Sequence, residues 1–435
     1  MAIALAKVKE ISPARLAAFR ILEQVEGGGY SSVLLAAEEP RLQLVDRALC
    51  HELVLGVLRW QLLLDKIVEH FSKRRIESLD RAVRIALRLG LYQLRFLTRI
   101  PASAAVNESV NLVRMARFSS AAAFVNAVLR RATREPEYDP AAEVSDPLEK
   151  IAIRTSHPVW LIECWARWMR LDQAESFAQA NNLVPPTAFR VVAKRSNESE
   201  ILSKLTSAGA SLESSHVVEG AWRVSGATSL LRELSAAGEI YLQDEASQLV
   251  AQLLDAKQGE RVLDLCAAPG GKTTMIADRS GDRAVVVAAD RSATRMETVV
   301  ATTKLHQLEG VKPVILDAAE QLPFAAETFD RVLVDAPCSG TGTLRRNPEI
   351  RWRLTPADIP ALAEQQKRIL RNAIEMVKPG GRFVYSTCSV EREENEEVIT
   401  ECRLRPLDAI RTWPHRDGCD GFFIAAFEKS TTDFR

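Results

Sequence analysis

The stretch RVLDLCAAPGGKTT (residues 261–274) runs from a short apolar segment through a proline and two glycines into a helix start, and its reading decides the fold. RVLDLC is bounded by a turn and reads as a buried strand, with Gly271 opening the helix that follows. Outward from there the same alternation repeats: AVVVAAD (284–290), a helix through ATRMETVVATTKLHQL (293–308), KPVILDA (312–318) and RVLVDAPC (331–338). A helix through ADIPALAEQQKRILRNAIEMV (357–377) then leads to GRFVYSTCS (381–389). Apolar strands separated by helices need crossover connections, which place helices on both faces of a mainly parallel sheet. The expected fold of this part is a doubly wound, Rossmann-like α/β domain.

In such sheets ligands bind outside the carboxyl ends of the strands, near the point where strand order reverses. The loop CAAPGGKTT is not a Walker A loop, because that pattern needs glycine at position 266, where this chain has Cys266. The dinucleotide pattern G-x-G-x-x-G is missing as well. What remains is a tight glycine loop followed by an acid at each later strand end: Asp290, Asp317 and Asp335. A carboxylate about 20 residues beyond the loop suits a bidentate grip on ribose hydroxyls, which predicts that role for Asp290. Asp317 then suits an adenine amino group, and Asp335 lies nearest the reacting end. The cofactor expected here contains a nucleoside.

Two cysteines follow apolar strands at that same edge, Cys338 in DAPCSGTG and Cys388 in YSTCS. One strand-end cysteine is ordinarily a small buried hydrophobe. Two of them, each beside Ser or Thr and one following Asp-Ala-Pro, fit that reading poorly and are candidate thiolates. Carbon 5 of cytosine becomes reactive only when a nucleophile adds to carbon 6, and a thiolate suits that reversible addition. After methyl transfer, a base must take the proton on carbon 5 before the thiol can leave. A carboxyl group near ring nitrogen 3 and the exocyclic amine, the role expected of Asp335, stabilises the charge that develops.

The N-terminal third is of another kind. Segments such as RLAAFRILEQV, DRALCHELVLGVLRWQLLLDKIV and AVNESVNLVRMAR carry apolar residues at three-and-four spacing, so residues 10–134 read as helices throughout. The chain's net charge is zero, yet residues 1–134 hold 21 Lys and Arg against 12 Asp and Glu, a net +9. A basic, arginine-rich module predicts a polyanionic partner. Arg81, Arg84, Arg88 and Arg95 fall within about 60° on one helix face and form a candidate basic stripe, unless Gly90 breaks its register. EPEYDPAAEVSDP (135–147) is acidic and holds three prolines, which marks a linker. The domains expected are 1–134, all helical; 148–240, a small α+β module; and 241–435, the catalytic part. With 47% hydrophobic and 26% charged residues, no apolar run of spanning length and no signal peptide, a cytoplasmic chain with no membrane partner is expected. Seven scattered cysteines without a C-x-x-C pair predict reduced thiols and no metal.

DLCAAPGGKT, DAPCSGTG followed by LRRNPEIRWR, and YSTCSVEREENE together resemble the motifs of the NOL1/NOP2/Sun family of RNA cytosine-5 methyltransferases. The resemblance implies S-adenosylmethionine as cofactor, Cys388 as nucleophile and Cys338 as the residue that assists product release. It also implies that Cys266, Ala267, Ala268, Pro269, Gly270, Gly271 and Lys272, with Asp290, Asp317 and Asp335, line the cofactor site. DNA cytosine methyltransferases place their nucleophile in the Pro-Cys motif, so the Thr-Cys motif discriminates, and RNA rather than DNA is the expected substrate. DRALCHELVLGVLRW, LRLGLYQLRFLTRIP, NESVNLVR and FVNAVLR resemble the NusB-type RNA-binding domain that precedes the catalytic part in bacterial Sun/Fmu-type members. DGCDGFFIAAF matches their ending, with Cys419 departing from its usual form. That architecture implies action on 16S ribosomal RNA, free or in a partly assembled small subunit, at the cytosine numbered 967 in ribosomal nomenclature, and a monomer is expected. The same chemistry on transfer RNA or another ribosomal cytosine, and a non-catalytic RNA-binding factor, are the alternatives.

Overall fold

Leucine and alanine at helical spacing build seven helices between Pro13 and Ala132, and the computed structural model describes residues 11–431. The helix Arg81–Phe96 is buried almost all round through its middle, Arg88 and Gln93 included, with Ile85, Leu87, Leu89 and Leu91 in one cluster, and this places it at the centre of the helical core. Gly90 does not break it. A Cβ there would stand 2.6 Å from Leu129 and 2.8 Å from Ser109, so glycine is what lets the neighbouring helices approach this closely.

The same central position overturns the basic stripe. Arg88 is 5% exposed and donates to both oxygens of Asp65 at 2.6 and 2.8 Å and to Glu26 at 2.7 Å. Arg84 bonds Glu26 at 2.9 Å, Arg81 donates to the Glu23 carbonyl, and Arg95 donates to the carbonyls of Pro136 and Tyr138. A guanidinium on a buried helix must be paired: Arg88 neutralises buried Asp65, and the other three donate to Glu26 or to backbone carbonyls.

Division into compact units also differs from the expected linker. The helical unit runs to Leu183, and the helices Pro147–Thr155, Val159–Ala166 and Leu171–Ala180 belong to it. Ala141, inside the proline-rich stretch, and Ile153 are buried in the same core as the first seven helices. Apolar residues placed within the stretch, and just beyond it, tie it down. The unit also takes back a distant segment, Leu344–Arg353. There Glu349 accepts from the backbone and hydroxyl of Ser31 at 2.9 Å, and Trp352 donates its indole N–H to the Leu58 carbonyl at 2.6 Å. Buried Arg351 donates to the Ser156 carbonyl at 3.1 Å and to Asn182 Oδ1 at 3.0 Å.

The second unit holds two sheets. In the first, β1 (Thr187–Val191), β2 (Ser211–Ser214), β3 (Ala221–Ser225) and β4 (Ile240–Leu242) lie in the order β2-β3-β1-β4 with antiparallel pairing. The helices Glu198–Ser207 and Thr228–Ala236 cover it through Ile201, Leu205, Leu231 and Leu234. The second sheet comprises β5 (Arg261–Asp264), β6 (Val285–Asp290), β7 (Val311–Ile315), β8 (Phe329–Asp335), β9 (Val377–Thr387), β10 (Arg405–Thr412) and β11 (Phe422–Glu428). Its order is β10-β11-β9-β8-β5-β6-β7, parallel from β9 to β7, with β11 antiparallel to both neighbours. The chain leaves β5 toward β6 and β7, then returns to β8 on the other side, so strand order reverses between β5 and β8. Helix Gly271–Arg279 packs through Met275 and Ile276, and helix Asp358–Met376 packs through Ile369, Leu370 and Ala373 against Phe383 and Tyr385. The doubly wound expectation holds.

Candidate active site

Every site residue expected from the sequence lies at or just past the carboxyl end of β5, β6, β7, β8 or β9. After β5 the chain makes a tight loop in which the Ala268–Pro269 peptide is cis and Gly270 adopts φ 106°. A Cβ at Gly270 would come within 3.1 Å of the Val299 backbone. Asp290, 3% exposed at the end of β6, anchors this loop by accepting from Ala268 N–H at 3.2 Å and Ser292 N–H at 2.9 Å, with Arg295 3.6 Å away. Asp317, two residues past β7, is exposed and accepts from Ala319 N–H at 2.9 Å.

A cavity of about 230 Å³ gathers Cys266, Ala268, Asp290, Asp317, Asp335, Cys338 and Cys388 on its walls. The remaining loop residues face elsewhere. Ala267, Pro269, Gly271 and Lys272 line a second cavity of about 140 Å³ with Tyr241, Gln243, Ser247 and Asp264; Cys266, Ala268 and Asp335 line both. Gly270 lines neither, and its part is to make the turn. The larger cavity fits a nucleoside with a charged tail: carboxylates for hydroxyl and amino groups stand at one end, and sulfur and Asp335 at the other.

β8 and β9 are neighbouring parallel strands in which Asp335 is paired with Ser386, and this register brings the two cysteines together. Cys338 Sγ lies 3.4 Å from Cys388 Sγ, and both are partly exposed to the cavity. The hydrogen bond with Cys388 pushes the Cys338 pKa well above the ordinary thiol value, and burial pushes it the same way. Cys338 therefore stays a thiol and can donate. Cys266 is likewise held protonated, by burial and then by Asp264, Asp335 and Asp290. Asp335 accepts from Lys272 Nζ at 2.6 Å and from Ser386 Oγ at 2.8 Å, so both its oxygens are held.

Sequence reading assigned Lys272 only to the cofactor loop and missed its pairing with Asp335. It also passed over two buried acids. Asp264, at the end of β5, accepts from Thr273 Oγ1 at 2.7 Å, and burial pushes its pKa to about 7. Glu394, in the acidic run EREENE, accepts from Ser339, Ser389 and Gln366. The only sequence signal for Glu394 was acid density after Cys388, which a solvated turn also produces.

Among the described residues no helix is long and apolar enough to cross a membrane. Three family profiles match the chain: NusB family over residues 12–134, the ferredoxin-like domain of RsmF/B-like methyltransferases over 157–230, and 16S rRNA methyltransferase RsmB/F over 251–410. The probable ribosomal RNA small subunit methyltransferase B of Bacillus subtilis (strain 168) is 34% identical, over 97% of this chain and all of that protein. Ribosomal RNA small subunit methyltransferase B of Pseudomonas putida is 35% identical, over 95% of this chain and 98% of its own length. Among solved structures, that of PH0851 superimposes with a TM-score of 0.83 at 28% identity, covering 97% of this chain and 99% of that one. A methyltransferase homolog protein from Pyrococcus horikoshii gives 0.58 at 26% identity, covering 66% of this chain and all of its own. With relatives at this identity spanning nearly the whole chain, and with profiles for all three parts in the same order, the chain belongs to the ribosomal RNA small subunit methyltransferase B family.

Proposed function

We propose that this protein transfers a methyl group from S-adenosylmethionine to carbon 5 of one cytosine in 16S ribosomal RNA, of the cytosine-967 type, through a covalent adduct with Cys388. The observation that carries the reading is the pair of thiols 3.4 Å apart, sharing one cavity with Asp290, Asp317 and Asp335. The names of the relatives support the small-subunit RNA as substrate, and the NusB-type helical region supports RNA binding. Asp290, Asp317 and the backbone around Ala268 would hold the cofactor, which would supply an electrophilic methyl group.

Cys388 sulfur adds to carbon 6, and the electron pair of the 5,6 double bond is released toward carbon 5. Asp335 accepts from the exocyclic amine, and the Lys272 ammonium beside it offsets negative charge on the ring. Once carbon 5 carries the methyl group, a solvent base reaching the open cavity takes its proton, the electron pair of that C–H bond re-forms the 5,6 double bond, and the Cys388 sulfur departs as a thiolate. The Cys338 S–H stabilises that thiolate by donating to it.

Single mutants with RNA and S-adenosylmethionine, run on denaturing gels, test the assignment. C388A should give neither methyl transfer nor adduct. C338A should methylate and remain bonded to its product, as a protein band shifted by RNA. A stable adduct in C388A and none in C338A would reverse the roles. Labelled methyl entering small-subunit RNA but not transfer RNA checks the substrate.

A further inference from the structure

Ser339 directly follows Cys338, Ser389 directly follows Cys388, and both serine hydroxyls donate to the same oxygen, Oε2 of Glu394, at 2.5 Å. The other carboxylate oxygen accepts from the Ser339 N–H at 2.8 Å and from Gln366 Nε2 at 3.0 Å. Gln366 also donates to the Pro337 carbonyl at 2.9 Å, and the two serine hydroxyls lie 3.0 Å apart. Glu394 and Ser389 are fully buried and Ser339 is 5% exposed.

The need for such a clamp follows from where the strand ladder stops. The last bond between β8 and β9 runs from Ala336 N–H to the Ser386 carbonyl at 2.8 Å. Beyond it the loops leave the sheet, and Cys338 stands three residues past the end of β8 while Cys388 immediately follows β9. Cys388 keeps a backbone tie of its own, its carbonyl accepting from Gly342 N–H at 2.9 Å. Next to Cys338 the loop is held through Ser339 and Pro337 by Glu394 and its partner Gln366, while farther along Thr341 accepts from Val390 N–H at 3.1 Å and Gly342 bonds the Cys388 carbonyl. An ionised carboxylate offers only acceptors and can take four donors at once, so it suits this junction where an amide would set one of its own N–H groups against a donor.

We propose that Glu394 is a positioning residue that holds Cys338 against Cys388, and so sets how fast the covalent adduct is resolved relative to how fast it forms; this rests on the covalent reading above. Glu394 does not reach the base. Its effect passes through the placement of the Cys338 thiol, whose partner Cys388 stays anchored to β9 when the clamp is lost.

Three variants, E394Q, S339A and C338A, are compared with the wild type for initial methylation rate, adduct fraction on denaturing gels, cofactor affinity and melting temperature. E394Q should bind cofactor normally and raise the adduct fraction roughly tenfold, the scale of one lost charge-assisted hydrogen bond. S339A, which removes one donor and leaves the carboxylate in place, should raise it less, and it keeps the test open if E394Q fails to fold. A fall in turnover that tracks melting temperature with an unchanged adduct fraction overturns the proposal, as does wild-type behaviour in both variants. If C338A itself traps no adduct, the covalent reading falls and the proposal with it.

Discussion

Lys272 Nζ stands 2.6 Å from Asp335 Oδ2, which ties the helix of the cofactor loop to the end of β8 and sets a cation beside the two thiols. Burial, the largest influence on Lys272, pulls its pKa down; the charge and hydrogen bond of Asp335 outweigh it, and the net movement is up from 10.5. A lysine raised in the fold contributes its full stabilisation below the ordinary value and loses it only as pH rises through the raised one. The pair is therefore intact throughout the neutral range. Lys272→Met should cut single-turnover methylation by about a hundredfold, the scale of losing a preorganised charge beside the reacting group. A methylation rate within twofold of wild type would remove Lys272 from the chemistry.

Asp264 gives a pH dependence of stability with the opposite sense. Its pKa is raised from 3.8 to about 7 by burial, so the fold favours the protonated form. That stabilisation is complete below 3.8 and is lost as pH rises through about 7. Between pH 5 and pH 8 the wild type should lose about 2–3 kcal/mol from this group. Asp264→Asn removes the titration, so its melting temperature relative to wild type should be higher at pH 8 than at pH 5. Parallel melting curves at the two pH values would contradict the assignment.

If Asp290 holds the cofactor's ribose as proposed, Asp290→Ala should weaken cofactor binding by about 2–3 kcal/mol, roughly 30- to 150-fold. The same change frees Ala268 N–H, which Asp290 holds at 3.2 Å, so the loop itself loosens. RNA affinity should stay unchanged. Calorimetry with S-adenosylmethionine and filter binding with RNA separate the two effects.

Arginines of the helical unit divide into two groups by burial. Arg88→Ala leaves buried Asp65 without its paired guanidinium, while Glu26 keeps Arg81 and Arg84, and should destabilise the unit by about 3–5 kcal/mol. Its RNA binding at low temperature should keep the wild-type salt slope. Lys73, Arg130 and Arg134 are exposed, and Arg131 donates to the Phe71 carbonyl at 3.1 Å, which brings the ends of helices Gln61–Ser72 and Ala122–Ala132 together. Replacing Lys73, Arg130 and Arg134 by alanine should weaken RNA binding and reduce the slope of log affinity against log salt by about 2–3. An unchanged slope would place RNA contacts elsewhere on the protein.

Much of the catalytic domain was legible in the residues themselves. A glycine loop after an apolar strand and an acid or cysteine after each later one have fixed consequences in a parallel sheet, because every strand ends at the same edge. The positions of Asp290, Asp317, Asp335, Cys338 and Cys388 follow from that topology alone. Helical periodicity likewise marked residues 10–134 as helical, without fixing their number or ends. It could not say which helix lies at the centre, and so it offered Arg88 to solvent when burial had already committed it to Asp65.

What only the tertiary structure decided are the pairings between residues far apart in the chain. Ser31 meets Glu349 across 318 positions, and Ser339 meets Glu394 across 55. Nothing local marks either acid as buried, since a glutamate in a polar run reads as a solvated one. The sequence determines which chemical groups arrive at the sheet edge, because strand ends are set by short-range pattern. The distance between those groups, 3.4 Å between two thiols, is set by hydrogen bonds that close only when the chain has folded.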